Sequence, residues 1–357
     1  ANLKVSNSPT NGYVLTAQSG NTGGLTWAEA SGGVSSDAQY NTIAGTNAGD
    51  SQTLNGNSGA QHNTLIGRDA GTGITTGQKN TVLGSYALVE TTTTEENTAV
   101  GHSTLYFNTG DYNTAVGDSA GFKNTSGDYN TYVGRHAGYE VTTGSNNTAV
   151  GREALYKVTT SNWNTGLGSL AGSKLTGTAN TAIGYAAMKG ATGSTGGYNI
   201  GIGYDAGDNL STGDRNVLIG YKAGKELTTA GDCIAIGLDA VGGTGQGVTG
   251  NNNIGIGEKA LYEVNSGTHN TCVGWYSGGN IENGGFNTCI GRSAGSDLVT
   301  GSNNTVLGRG AQPTSSSTSN EITLGNTSVT KFRVPAIGLE ATDGILSLQT
   351  GSGSPSA

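Results

Sequence analysis

Proline is nearly missing from this chain, and the stretch that lacks it is informative. Four occur in 357 residues, Pro9, Pro313, Pro335 and Pro355, and none lies between residues 41 and 308. Proline brings no N–H to a strand ladder, so the gap favours unbroken main-chain pairing through that stretch. Charge is scarce as well. Asp, Glu, Lys and Arg make up 12% of the residues, the net charge is −8 and no basic run occurs, which argues against nucleic acid and against an anionic membrane as partner. No apolar stretch approaches a membrane span and no signal-peptide pattern opens the chain. Beginning at Ala1, it reads as an excised or processed fragment. Three cysteines do not make a secreted disulfide framework. Aliphatic and aromatic residues are thin beside 64 glycines, a composition that stays disordered unless something regular organises it.

Something regular does. A glycine falls at 45, 67, 84, 101, 117, 134, 151, 168, 184, 203, 220, 237, 257, 274, 291, 308 and 325, and eleven of the sixteen intervals are 17 residues. Each closes a five-residue phrase, often Asn-Thr-Ala-Val-Gly, as at Asn97 to Gly101, Asn113 to Gly117 and Asn147 to Gly151. A unit this short cannot bury its own apolar face and must stack on its neighbours. The period suits one coil of an all-β solenoid of about 17 coils. At ~4.8 Å per coil the array would be roughly 80 Å long.

The columns of the repeat carry distinct expectations. The first position is Asn in all phrases but those of Cys233 and Glu321, and the second is Thr except at Ile200, Val217, Ile234, Ile254 and Ile322. The fourth is Val, Ile or Leu in all but Ala44, and three residues after the phrase glycine comes Ala, replaced only by Thr104, Ser277 and Ser328. β-Branched residues at positions two and four predict a short strand with both columns on one face, and that face reads as interior. Gly101, Gly117, Gly134 and Gly151 predict a corner that a Cβ would obstruct. Asn97, Asn113, Asn130 and Asn147 predict stacked amides bonded up the rod. A second glycine three residues before the Asn (Gly77, Gly110, Gly127, Gly144, Gly213, Gly267, Gly301) marks the turn into the next coil. Longer intervals put loops at about 49–60, 188–195 and 241–250. Two inward apolar side chains per coil bury too little surface to offset the ordering of its backbone, so several chains packing together is the natural remedy.

The phrases NTAVGDSAGFKNTSGDYNTYVGRHAG (113–138) and NNTAVGREALYKVTTSNWNTGLGSLAG (146–172) resemble the repeats of bacteriophage tail-fibre and tailspike shafts. They are similar, more loosely, to the head repeats of trimeric autotransporter adhesins. The similarity covers about 41–325 and implies an elongated parallel homotrimer. Residues 1–40 then read as a strand-rich connector, with 11–30 similar to short strand pairs that precede such shafts. Residues 326–357 read as a strand segment and flexible tail, and 322–351 resembles the stretch that precedes a self-cleaving chaperone in many phage fibres.

No catalytic constellation is readable. His62, His102, His136 and His269 are scattered without metal-ligand spacing, and Gly201-Ile202-Gly203 belongs to the repeat and not to a phosphate cradle. The acidic residues follow no calcium-loop pattern. The expectation is a protein that is not an enzyme, with no cofactor and no metal. Cys272 and Cys289 share a column of adjacent coils at ~4.8 Å, inside disulfide range, although two small buried side chains is the plainer reading. Arg135 with Arg152 and Arg292 with Arg309 also stack, with Asp118, Glu153 and Asp297 as expected partners.

Aromatic ladders depart from the plain repeat. Tyr106, Phe122, Tyr139 and Tyr156 follow one another in successive coils, Tyr112 and Tyr129 precede the Asn, and Tyr185, Tyr204, Tyr221 and the Trp275-Tyr276 pair follow the corner glycine. They fill a seam, or Tyr185, Tyr204, Tyr221, Trp275 and Tyr276 offer a stacking face to host glycans. In the second case, changing Tyr185, Tyr204 and Tyr221 to Ala abolishes cell binding and leaves oligomer mass unchanged. The sequence thus reads as a structural and adhesive fibre, a phage tail-fibre shaft or receptor-binding segment at the virion tail. Its partners would be itself, other virion tail proteins and a host glycan or protein receptor. A bacterial trimeric surface adhesin and an ice-binding solenoid are the alternatives. The latter is set back because the Thr column shares its face with Val and Ile.

Overall fold

A computed structural model of the protein describes residues 13–17, 25–29, 35–37, 39–52, 59–191, 193–243, 245, 247–334 and 339–342. All regular structure among these is β, so no helix is long and apolar enough to cross a membrane. β1 (Tyr13–Ala17) and β2 (Leu25–Glu29) pair antiparallel. β3 (Ser35–Ser36) runs antiparallel to β4 (Thr42–Ala44). From β4 onward seventeen three-residue strands, the last being β20 (Ile322–Leu324), stack in parallel, each on the next. Register is strict: Thr148 pairs with Thr165, Ala149 with Gly166 and Val150 with Leu167. β21 (Lys331–Val334) and β22 (Leu339–Thr342) form a final antiparallel pair. The array is a parallel β-solenoid with one three-residue rung per coil.

Two devices hold each coil on the one below. The first is the corner glycine. Gly134 has φ +130°, and a Cβ there would lie 2.7 Å from the carbonyl oxygen of Gly151 in the next coil. The second is the Asn column. The backbone N–H of Asn130 donates to Asn113 Oδ1 at 2.9 Å, while Asn130 Nδ2 donates to the Gly144 carbonyl at 2.9 Å and Asn130 Oδ1 receives the Asn147 N–H at 2.9 Å. One buried Asn, through its backbone N–H and its side-chain amide, therefore ties three levels together, and Asn97, Asn113 and Asn147 do the same. The residue three before the next member of the column supplies the accepting carbonyl, a glycine at Gly77, Gly110, Gly127, Gly213, Gly267 and Gly301 and Thr94, Ser161 or Ala230 elsewhere. Direct amide-to-amide bonds add to this in places, such as Asn216 Nδ2 to Asn199 Oδ1 at 3.0 Å. Below the first rung Asp37 stands in for the missing Asn, its Oδ1 accepting the Asn41 N–H at 2.9 Å.

The Asn column also fixes which way the strand faces, and here the expectation from β-branching is overturned. Side chains alternate along a strand, so a buried Asn at position one puts position three inside with it. Leu65, Val82, Ala99 and Tyr132 are buried at that centre position. The Thr and Val/Ile columns at positions two and four point outward, half-buried or exposed. Instead the core is built from the strand centre, the Ala column, the residue after it (Leu88, Leu105, Leu155, Met188) and a column three further on (Ile74, Val141, Leu175, Leu298), the eight named side chains being fully buried. That is more inward surface than two side chains per coil. Each chain closes its own core.

Bulk in one column is matched by its absence in another. Tyr132 lies over Gly121 and Gly138, where a Cβ would come within 2.6 and 2.3 Å of its ring. Conversely, Gly166 and Gly201 at strand centres leave room for Leu155 and Met188 from the coil before, which approach the positions of their missing Cβ atoms to 2.8 and 2.4 Å. Close packing of this kind makes each coil specific to its neighbours. Cys272 and Cys289 pair in register at strand centres as free buried thiols, and burial pushes the Cys272 thiol well above its ordinary value.

Candidate interaction face

Every exposed large apolar or aromatic side chain among the described residues, apart from Phe107 and Val329, lies in one of four columns. Two are the outward strand positions, with Leu83, Val116, Leu167, Ile200, Ile219, Ile256 and Ile290 among them. The third is the residue just before the Asn, occupied by Tyr40, Tyr112, Tyr129, Trp163, Tyr198 and Phe286. The fourth is the residue just after the corner glycine, occupied by Tyr185, Tyr204, Tyr221, Leu238 and Trp275. The strand columns thus form a strip flanked by two rims, a leading rim before the strand and a trailing rim after it. Single exposed apolar residues are ordinary, but a contiguous file of them marks an interaction surface.

The rims are stacked files of rings. On the trailing rim Tyr185, Tyr204 and Tyr221 follow one another at 5.2 Å between centroids, with interplanar angles of 17° and 11°. On the leading rim Tyr112 lies 4.8 Å from Tyr129, Tyr40 lies 5.2 Å from His62 and His269 lies 4.7 Å from Phe286, all near parallel. Sequence reading found only the Tyr112–Tyr129 part of this rim. Aligning the residue before each Asn would have revealed Trp163, Tyr198 and Phe286 as well. Residues on the leading rim hold left-handed backbone, for example Tyr129 at φ 58° and Trp163 at φ 58°.

Stacking limits what the rings offer a sugar. A pyranose packs on an aromatic face, and inside a ladder each face is covered by the next ring, leaving edges and hydroxyls. The Arg292 guanidinium sits 4.8 Å above the Trp275 ring, and the Tyr276 hydroxyl donates to Asn280 Oδ1 at 2.6 Å. The other ladder lies away from the strip. Phe122, Tyr139 and Tyr156 stack at 5.1 and 5.2 Å, with Tyr106 tilted at 5.4 Å, and all four rings are half-buried.

Charges pair between adjacent coils and, at Arg152–Glu153, within one. Lys79 meets Glu96 at 2.8 Å, and Arg215 grips Asp232 with bonds of 2.7 and 2.9 Å, a fork that holds the exposed Asp232 carboxyl below its ordinary range. Arg135 lies 3.7 Å from Asp118 and Arg152 lies 2.7 Å from Glu153, the expected partners. Arg292 turns to Trp275 instead of Asp297, whose N–H bonds to Gln312 at 3.0 Å. His102 and His136 both approach Asp118, at 3.1 and 3.9 Å. Among the described residues no three His, Cys, Asp or Glu side chains gather as a metal site requires.

No family model matches the chain, and a search of curated proteins finds no match.

Proposed function

We propose that this chain is a structural and adhesive fibre segment that works without catalysis as a homotrimer. It would be the shaft or receptor-binding part of a phage tail fibre, outside the cell at the virion tail. The observation that carries the reading is the strip of outward Thr, Val, Ile and Leu side chains, which a lone chain leaves half-buried or exposed from rung to rung. A self-contained core suits a spacer that presents surface. The loops and rim rings, Tyr185, Tyr204, Tyr221, Trp275 and Tyr276 among them, are candidates for contact with a host glycan or protein receptor, through their edges and hydroxyls. A bacterial trimeric surface adhesin would use the same construction, and a membrane anchor in the full gene would decide for it.

Light scattering on the purified chain tests the reading. The expected mass is three times 35.7 kDa, resisting detergent until boiled, together with binding of the labelled chain to susceptible bacteria. A single-chain mass overturns the trimeric fibre.

One observation favours a second reading. The Thr column faces outward, against the sequence expectation, and runs unbroken through nine coils from Thr42 to Thr181. A flat Thr file at ~4.8 Å spacing is what an ice-binding solenoid would display. Ile200, Val217, Ile234 and Ile254 then interrupt it. Ice crystals grown with the purified chain should stay unshaped discs under the fibre reading, and facetted crystals would favour the alternative.

A further inference from the structure

We infer that the outward strand strip and its two rims are the seam between copies of this chain, packed parallel and in register, so that the leading rim of one copy meets the trailing rim of the next at the same level. This rests on the homo-oligomeric reading above and goes further by naming the face and the register.

The strip has the size for it. Seventeen rungs at ~4.8 Å and up to about 20 Å from rim to rim give on the order of 1,000–1,600 Å² per chain, above the roughly 800 Å² that each partner buries in a standard interface. Cyclic symmetry with the axis along the rod sets leading rim against trailing rim, level by level.

The side chains at matching levels are complementary. Glu96 meets His102 of the next copy. Tyr129 meets Arg135 and Phe286 meets Arg292, each a ring beside a guanidinium. Ala179, the small residue between the exposed rings of Trp163 and Tyr198, comes level with Tyr185 of the next copy. That ring fills the place where the leading-rim file lacks one.

Charge selects this register over its neighbours. At matching levels no two like charges of Lys, Arg, Asp and Glu face each other across the rims. Sliding one copy by one coil sets Glu96 against Asp118 and Asp232 against Glu258. Sliding the other way sets Lys79 against Arg68. An antiparallel pairing over the full length sets Arg68 against Arg309 and Asp118 against Glu258. Like charges forced together across an interface cost several kcal/mol, a penalty that the parallel, in-register arrangement avoids and that its one-coil slides and the full-length antiparallel pairing incur.

The arrangement also reassigns the Tyr185–Tyr204–Tyr221 ladder from receptor contact to seam. Changing all three to Ala should reduce the oligomer to single chains. Unchanged mass with lost cell binding would overturn the assignment.

The decisive experiment is engineered crosslinking. Tyr129→Cys and Arg135→Cys are placed together in the full chain, and the oligomer is treated with diamide, which takes up the two thiol hydrogens as the disulfide forms. The two sites lie on opposite rims of one strand, too far apart to join within a chain, and the native Cys233, Cys272 and Cys289 are buried. Most of the protein should run as a covalent oligomer on a non-reducing denaturing gel. Neither single variant, nor Tyr129→Cys with Arg152→Cys one coil away, should do so. A multimer by light scattering that fails to crosslink in register, or crosslinks through the shifted pair, overturns the seam and leaves the fibre reading standing. A single-chain mass for the unmodified protein overturns both.

Discussion

The Asn column runs as two stretches, parted at one residue. From Asn41 to Asn216 every Asn receives the N–H of the next level, the last link being the Cys233 N–H to Asn216 Oδ1 at 2.9 Å. A shorter stretch starts again at Asn253 and ends where the Glu321 N–H bonds to Asn304 Oδ1 at 3.0 Å. Between them Cys233 offers only sulfur, 3.6 Å from the Gly250 carbonyl that an amide at this position would reach. The strand ladder crosses the break undisturbed, with Ile234, Ala235 and Ile236 paired to Ile254, Gly255 and Ile256. Rung pairing and the Asn column are therefore separable supports, and the corner glycine, present in both stretches and across the break, is common to all coils.

The largest effect should come from that common element and should ignore the break. Gly134→Ala forces a Cβ to 2.7 Å from the Gly151 carbonyl at φ +130°, and Gly257→Ala forces one to 2.6 Å from the Gly274 carbonyl at φ +131°. Each should cost about 3 kcal/mol or more, read as a lowered guanidinium midpoint. A much milder loss at Gly257 would mean that the coils flanking the break are looser than their geometry implies. Next comes Asn130→Ala, inside the long stretch. It orphans the Asn147 N–H and the Gly144 carbonyl, and two buried unpaired groups should cost about 2–4 kcal/mol.

How far this arrangement can be read from sequence depends on the column. The period, the strand, the corner and the turn glycine were legible because each has a residue that backbone geometry favours: Gly134 for a close approach, Gly144 for a turn where a Cβ would lie 2.4 Å from the Ser161 carbonyl oxygen. The facing of the strand was not. Thr and Val at positions two and four carry the β-branched signal, while the true interior column varies from Gly166 to Tyr132 and looks like filler. The missing step was parity: a column of Asn must hide its amides, so position three goes in with position one. The same error concealed the outward apolar strip, since its Val and Ile were assigned to the core. The leading rim was fragmentary because its rings alternate with Lys79, Glu96, Asn146 and Ala179.

Smaller effects probe what each stretch holds inside. Tyr132 is buried in the long stretch with its hydroxyl unpartnered. Tyr132→Phe removes that group and keeps the ring over Gly121 and Gly138, so stability should rise by about 1–2 kcal/mol. The pH dependence should change with it. Burial holds the Tyr132 hydroxyl well above its ordinary value, so the unfolded chain loses that proton first. Its contribution is complete below about pH 10, where an unfolded tyrosine ionises, and falls as pH rises further. The Phe variant should lose less stability than the parent in alkaline urea melts. Equal slopes would mean the hydroxyl has a partner.

The smallest change tests the comparison itself. Cys233→Asn places an amide where the thiol now stands, with Asn216 Oδ1 already holding the backbone N–H and the Gly250 carbonyl within reach of Nδ2. Its Oδ1 would be offered to the Asn253 N–H, joining the two stretches into one. Burial pushes the Cys233 thiol up to about 11, so at neutral pH the substitution exchanges one neutral buried group for another. Because Asn253 Nδ2 also bonds to Gly250 at 2.9 Å, that carbonyl would be shared, which keeps the gain near 1 kcal/mol. Hydrogen exchange should register it more sharply than melting, as slower exchange at Asn253 and its neighbours with Asn130 unaffected. If the variant is instead destabilised, the 20-residue coil from Cys233 to Asn252 has moved the column out of line, and the break belongs to the inserted loop and not to the cysteine.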